Sequence, residues 1–116
     1  MIIKVSKKEE IVIFRLKGRF ITPNNRQVLE VVEQTICGRI PHPKLVFDFK
    51  EVTLIDCAGL GTLMKISTDI LRRGGRLAVV NMNEHIKKIT VMTHLSSVFD
   101  CFNCENDAVT MLSERS

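Results

Sequence analysis

Two short β-branched runs open this chain, with a polar stretch between them. Residues 2–5 and residues 11–16 are rich in isoleucine and valine, and the residues that separate them include lysines and glutamates. Two such runs joined by a short polar segment are typical of an antiparallel hairpin. The pattern therefore predicts two paired strands, the second of which closes at Gly18.

An amphipathic helix is predicted after this hairpin. Thr22 can serve as a capping hydroxyl, and Pro23 suits the first helical position because no N–H group is needed there. The apolar residues that follow recur at helical spacing: Val28, Leu29, Val32 and Ile36. We expect the helix to end near Gly38, since Pro41 and Pro43 prevent its continuation.

A buried strand and a second helix come next. The compact apolar run at residues 44–49 predicts a strand, which is expected to be parallel to the strand before it because a helix joins them. The apolar stripe of the second helix is formed by Leu60, Leu63, Met64, Ser67, Ile70 and Leu71. The opposite side is expected to carry Thr62, Lys65, Asp69 and Arg72. Gly74 and Gly75 are expected to end this helix.

Strands and helices continue to alternate to the end of the chain. A strand at residues 76–80 precedes a helix with Ile86 and Ile89, and a strand at residues 98–102 precedes a closing helix. The residues that can cap these helices are Asn81 or Asn83 and Asn106 or Asp107. The order predicts an α/β fold with a mixed sheet of about five strands, the first pair antiparallel and the rest parallel, and four α-helices. We expect one domain over residues 1–116.

Composition and charge narrow the classes of function. The chain carries 17 basic and 13 acidic residues, and its charges are scattered rather than clustered, which is typical of a mixed solvated surface and not of a nucleic-acid patch. Tryptophan and tyrosine are absent, so few aromatic rings are available for base stacking. No apolar run has the length of a membrane span, and the first residues lack the features of a signal peptide. We therefore expect a cytoplasmic protein that does not insert into membranes.

The cysteines and histidines do not predict a metal or catalytic site. In a cytoplasmic protein Cys37, Cys57, Cys101 and Cys104 are expected to be reduced thiols. Only Cys101 and Cys104 have ligand spacing, and they lack a second ligand pair, so we expect no metal and no cofactor. No nucleophile, base and orienting partner can be assembled, which predicts that the protein is not an enzyme. Cys57 is expected to be a small buried residue at a strand–helix turn.

Candidate binding chemistry lies in the loops that follow the strands. In open α/β sheets ligands and partners gather at the carboxyl ends of the parallel strands, here residues 19–24, 54–61 and 81–84. Asp56 can cap the second helix, and Gly59 and Gly61 allow close approach by another backbone. These features have two interpretations, a cap with tight helix–sheet packing or a binding loop, and spacing alone does not decide between them.

The same loop carries a family resemblance. Residues 46–61 read Val-Phe-Asp-Phe-Lys-Glu-Val-Thr-Leu-Ile-Asp-Cys-Ala-Gly-Leu-Gly, which resembles the STAS signature in which an apolar strand leads into Asp-Ser-Ser-Gly-Leu-Gly. Further matches lie at residues 16–20, at residues 74–81 and around residues 86–99. The family includes bacterial anti-sigma factor antagonists and cytoplasmic domains of sulfate transporters, and its fold is a mixed sheet with four helices.

The resemblance implies partner switching, but without the usual switch residue. In the antagonists the domain binds an anti-sigma factor that is also a serine kinase, and phosphorylation of the serine before Gly-Leu-Gly breaks the complex. Here Ala58 occupies the phosphoacceptor position, and Cys57 replaces the neighbouring hydroxyl residue. Ile21 also stands where many antagonists carry an acidic residue. The chain is therefore expected to retain docking while lacking phosphorylation at residue 58.

The first hypothesis is a non-enzymatic binding domain of the anti-sigma factor antagonist type. Its partner would be a serine kinase with the histidine-kinase-like ATPase fold, and the domain itself is expected to be a monomer or weak homodimer. The residues expected to contact the partner are Ile21, Thr22, Asn24, Asp56, Cys57, Ala58, Gly59, Leu60 and Thr62. Two alternatives remain open: a STAS subunit of a lipid or anion transport complex, and a redox sensor acting through Cys57 or the Cys101/Cys104 pair.

Overall fold

The structure is a computed structural model, and it describes residues 1–8, 10–36, 42–93, 99–102 and 104–114. Its elements are β1 (Ile2–Lys8), β2 (Ile11–Phe20), α1 (Asn24–Ile36), β3 (Lys44–Ile55), α2 (Cys57–Arg72), β4 (Arg76–Val80), α3 (Glu84–Met92), β5 (Asp100–Phe102) and α4 (Glu105–Glu114). The expectations for Cys37, for the helix end near Gly38 and for the strand start at residue 98 lie outside the described residues.

All five strands form one sheet in the order β1-β2-β3-β4-β5. β1 pairs with β2 in antiparallel orientation, whereas β2–β3, β3–β4 and β4–β5 are parallel pairs. The predicted mixed sheet with an initial hairpin and four helices is therefore confirmed. Because three consecutive pairs are parallel, the carboxyl ends of β2, β3, β4 and β5 lie at the same edge of the sheet.

Two apolar layers cover the faces of the sheet. Alternate residues of the central strands point to opposite sides, as Phe14 and Phe47 do against Ile13 and Val46. The first layer contains the buried side chains of α1, α2 and α3, and its Phe14 and Phe47 rings meet edge to face at 5.4 Å. The second layer contains Val46 and the buried side chains of α4. Helices α1 to α3 thus share one face, and α4 covers the other.

Three strands end later than predicted: β1 continues to Lys8, β2 continues past Gly18 to Phe20, and β3 is also longer. β3 does not end at residue 49 but continues to Ile55, because residues 51–55 pair with the end of β2 across two register shifts. These irregularities bend the pair, which explains why alternation alone did not reveal the extension. β5 consists of Asp100–Phe102, and residue 98, where the strand was predicted to begin, lies outside the described part of the chain.

Two helices begin at other residues than predicted. α1 begins at Asn24 rather than at Pro23, because Thr22 and Pro23 lie in a turn in which the Asn25 N–H donates to the Ile21 carbonyl at 3.1 Å. The peptide bond between Thr22 and Pro23 is cis. α4 begins at Glu105, so the predicted caps Asn106 and Asp107 lie inside the helix. Asn83 caps α3 as expected, since its Oδ1 accepts from the Ile86 N–H at 2.8 Å.

The buried face of α2 is rotated relative to the prediction. Met64 and Leu71 were expected to be buried but are 46% and 38% exposed, whereas Thr62, predicted for the opposite side, is only 8% exposed. Ile66, which the predicted stripe omitted, is buried in the core. Thr62 tolerates burial because its Oγ1 accepts from Asn25 Nδ2 at 3.1 Å, a partner on α1 that helical spacing cannot reveal.

Candidate functional site

The candidate site lies at the carboxyl edge of the sheet, where the chain leaves β2 and β3. The β2–α1 connection contains Ile21, Thr22 and Pro23, and the β3–α2 connection is the single residue Asp56. β2 and β3 are parallel neighbours, so these two connections meet side by side. The structure therefore brings the two predicted loops together next to the first turn of α2.

Asp56 joins the two loops through both oxygens of its carboxylate. Oδ1 accepts from the Gly59 N–H at 2.8 Å, which caps α2, and Oδ2 accepts from the Thr22 N–H at 3.1 Å. The Asp56 N–H donates to the Phe20 carbonyl at 3.4 Å. The backbone donors of Gly59 and then Thr22 stabilise the carboxylate and lower the pKa of Asp56 below its ordinary value. Asp56 is therefore a joint that fixes one loop against the other.

We expect this joint to make stability depend on pH. Because folding lowers the Asp56 pKa, the charged carboxylate stabilises the fold above the unfolded-state pKa, and this contribution is lost as pH falls through the folded-state value. In Asp56→Asn one oxygen is replaced by an NH₂ group that cannot accept. The unfolding free energy of the wild type should exceed that of the variant at neutral pH, and the gap should shrink on acidification.

Urea unfolding followed by far-UV circular dichroism measures this gap for both proteins between about pH 7 and pH 2. Thr53→Val is a useful control, because Thr53 lies on the same strand but makes only a long 3.5 Å bond to the Gly18 carbonyl and no bond to Asp56. A difference between wild type and Asp56→Asn that stays constant over the whole range would contradict the proposed role of the charge.

A second pair of hydrogen bonds supports the β2–α1 loop. Asn24 Nδ2 donates to the Arg19 carbonyl at 2.8 Å, so this predicted contact residue directs its amide back to the end of β2. Asn25 Nδ2 donates to Thr62 Oγ1, which ties the start of α1 to α2. Asn25 was not among the predicted site residues, and its position one residue inside α1 offered no signal of this role.

The two glycines of the motif have different surroundings. A Cβ at Gly59 would overlap the carbonyl oxygen of Phe20 and lie 2.8 Å from Cγ1 of Ile55. A Cβ at Gly61 would meet nothing within 4 Å. Close packing of helix and sheet therefore explains Gly59, as the first interpretation of the loop required, whereas no contact among the described residues explains Gly61.

The predicted contact residues divide into exposed and buried groups. Thr22 and Cys57 are exposed, and Ile21, Asn24, Asp56, Ala58 and Leu60 are half-buried at the same surface. Gly59 and Thr62 are buried beneath this surface. The expectation that Cys57 is buried was wrong, because as the first residue of α2 it lies on the exposed side of that helix.

Other candidate chemistry receives less support from the structure. Burial raises the pKa of the Cys101 thiol, with Asp100 adding to the rise and Lys87 opposing it, so less of the reactive thiolate is present. Within the part of the chain that the structure describes, no three histidine, cysteine or acidic side chains are grouped to hold a metal ion. No helix among the described elements is both long and apolar enough to cross a bilayer.

The chain belongs to the STAS domain family, because the model of that family matches residues 3–108. This match covers the sheet from Ile3 onward, the joint at Asp56 and the first four residues of α4. It confirms the resemblance inferred from the motif at residues 46–61.

Solved structures with this fold include regulators and a transporter domain. An anti-sigma factor antagonist from Mycobacterium paratuberculosis is 17% identical, with a TM-score of 0.84 over 97% of this chain and 93% of that one. The unphosphorylated form of the anti-sigma factor antagonist SpoIIAA, from Bacillus, is 16% identical, with a TM-score of 0.76 over 97% and 98%.

The transporter is the murine anion transporter Slc26a9, in its inward-facing state. It is 16% identical, with a TM-score of 0.80 over 94% of this chain and 18% of the transporter. At these identities the similarity establishes the fold, which is therefore found both in anti-sigma factor antagonists and in an anion transporter.

Proposed function

We propose that this protein is a non-enzymatic docking protein of the anti-sigma factor antagonist type. Its partner would be an anti-sigma factor that is also a serine kinase, bound at the surface around Ala58. One observation carries the proposal: Ala58 is accessible in the first turn of α2, beside the β2–α1 loop that Asp56 holds in place. The matching position of the family motif carries the phosphorylated serine.

The replacement by alanine changes how such a protein is controlled. A phosphate adds a charge of about −1.5 to −2, which is enough to break a packed interface. The methyl group of Ala58 has no oxygen to accept a phosphate, and its small apolar surface suits a packed contact. We propose that the protein is always competent to bind, so that its amount, or modification at another position, determines how much partner is captured.

The docking surface that we propose consists of the accessible residues around this joint. Ile21, Thr22, Cys57, Ala58 and Leu60 would contact the partner, while the remaining predicted residues hold the surface in shape: Asn24, Asp56, Gly59 and Thr62. Support for this division comes from burial, since the last two are almost inaccessible, and from the hydrogen bonds of Asn24 and Asp56 within the protein.

Restoring the hydroxyl tests the proposal directly. Ala58→Ser is expected to bind the same partner as the wild type and, with ATP and Mg²⁺ present, to accept the γ-phosphoryl group and dissociate. The wild type should stay bound under the same conditions. The partner is first recovered from the native host on immobilised wild-type protein and then purified. Phosphorylation is measured by mass spectrometry, and release is measured by interferometry with and without ATP.

Three outcomes would contradict the proposal. The captured protein could lack kinase activity, Ala58→Ser could remain unmodified and bound, or the wild type could be released by ATP as readily as the serine variant. Ala58→Val provides the matched control for an added side chain that cannot be phosphorylated.

A second candidate function is that of a STAS subunit in a transport complex. The observation that favours it is the similarity to a segment that makes up 18% of the murine anion transporter. Recovery of a transporter ATPase instead of a kinase in the same capture experiment would support this candidate over the first.

A further inference from the structure

A groove runs along the outer surface between α1 and α2. Its volume is about 630 Å³, and helix side chains form both walls. Met64 is the exposed apolar residue of its lining and Leu29 is half-buried, while the buried side chains beneath them are Val32, Ile36, Ile66 and Ile70. The groove begins at Gly61, one turn after Ala58, so it continues directly from the proposed docking surface.

Gly61 leaves a notch in the wall of this groove. Glycine inside a helix costs about 0.5–1 kcal/mol relative to alanine, and a Cβ at this position would meet nothing within 4 Å. No packing among the described residues therefore requires this glycine. Met64, the next residue along the same side of α2, is 46% exposed, and the flexible side chain of methionine adapts to varied partners. Both features suit the close approach of another polypeptide.

The charges on the α2 side of the groove are predominantly basic. Arg73 pairs with Asp69 at 3.3 Å, but Lys65 and Arg72 have no acidic partner within ion-pair distance among the described residues. Glu33 is the acidic residue of the α1 wall. A partner with acidic side chains facing α2 would therefore gain two charge pairs.

We propose that this groove binds an acidic amphipathic helix of a partner protein. The apolar face of that helix would lie on Leu29 and Met64, its backbone would approach Gly61, and its carboxylates would face Lys65 and Arg72. A helix laid between two others buries its apolar face in the same manner as in known helix-in-groove complexes. The inference rests on the proposed partner-binding function and adds the chemistry of the partner segment.

A synthetic peptide provides the test. It carries leucine at positions i, i+3, i+4 and i+7, glutamate on the flanking positions and a fluorescent label, and its binding to the full chain is measured by fluorescence anisotropy. Saturable binding that weakens with added salt is expected. The double variant Lys65→Glu/Arg72→Glu should lower the affinity at least about tenfold. Gly61→Leu should also weaken binding at least about fivefold, while thermal unfolding shows that the fold is retained.

Matched controls separate the groove from general charge attraction. Lys87→Glu/Lys88→Glu changes the net charge equally but lies on α3, outside the groove lining, and should change the affinity less than about threefold. A scrambled peptide of the same composition should not bind. Equal binding of both peptides, equal effects of the two double variants, or no binding of the designed peptide would overturn the inference.

Two further outcomes are distinguishable from these. If sedimentation shows a dimer that Gly61→Leu dissociates, a second copy of this chain occupies the groove and the inference is overturned. If Ala58→Ser responds to ATP as expected but the groove variants bind partner and peptide like the wild type, the docking function stands and the groove assignment fails.

Discussion

Ala58→Glu is expected to abolish partner binding while leaving the fold intact. The variant places an unpaired carboxylate in the centre of the proposed interface, where a desolvated charge without a partner costs about 3 kcal/mol, equivalent to a loss of more than about 100-fold in affinity. The fold should tolerate the change, because Ala58 is in the first turn of α2 and a negative charge near a helix N-terminus is favourable.

Ala58→Gln separates charge from size in this experiment. Glutamine has nearly the shape of glutamate but no charge, so its affinity should lie between those of the wild type and Ala58→Glu. Calorimetric titration with the purified partner gives the affinities, and far-UV circular dichroism checks the fold. Full affinity of Ala58→Glu would remove Ala58 from the interface, and equal losses in both variants would show that bulk rather than charge is responsible.

Gly59→Ala is expected to cause the largest loss of stability among single substitutions at the site. The added Cβ would meet Phe20 O, with Ile55 Cγ1 at 2.8 Å and Phe20 Cδ1 at 3.0 Å, so helix α2 must move away from the sheet. Overpacking of this kind costs about 1–3 kcal/mol. The displacement would also disturb the Asp56 cap, because the Gly59 N–H is its donor.

Gly61→Ala is the matched control, since both glycines lie in the first turns of the same helix. Its Cβ points into open space, so the higher helix propensity of alanine should raise the unfolding free energy of this variant by about 0.5–1 kcal/mol. Urea unfolding of both variants gives the comparison. Similar unfolding free energies for the two variants would show that the helix and the sheet can move apart at Gly59 without a loss of stability.

The fold was largely predictable because helices and strands here keep regular hydrophobic periods. The limits of β2 and β4 are close to those expected, and Val28, Val32 and Ile36 are buried as their spacing indicated. β3 was predicted too short, because the buried residues of its second half, Val52 and Ile55, do not alternate with exposed ones and the strand bends at register shifts that depend on its pairing with β2.

The buried face of α2 shows why hydrophobic periodicity alone does not predict which residues of a helix are buried. Spacing shows that a helix has one apolar side, but the centre of the buried arc depends on its neighbours. Thr62 is buried because Asn25 reaches it from α1, and Met64 is exposed because it borders the groove rather than the sheet. These contacts join residues far apart in the chain, and a single sequence does not reveal them.

The candidate site was predictable in its location more than in its contacts. The rule that loops gather at the carboxyl ends of parallel strands correctly placed Asp56 and the β2–α1 loop together. The second bond of Asp56, to the Thr22 N–H, depends on a backbone group and could not be inferred from side-chain types. Cys57 was assigned to the interior from the general behaviour of cysteine, but its place at the start of α2 directs it outward.

The order of the strands has a consequence for how this molecule folds. Every strand pairs with its neighbour in sequence, so the sheet can grow one unit at a time, each parallel pair closing a connection that contains a single helix. The Thr22–Asp56 bond requires only β2, α1, β3 and the first turn of α2. The two loops of the proposed docking surface can therefore assemble before β4, α3, β5 and α4 are added. Pulsed hydrogen exchange during refolding should show amides of β2 and β3 protected earlier than those of β5.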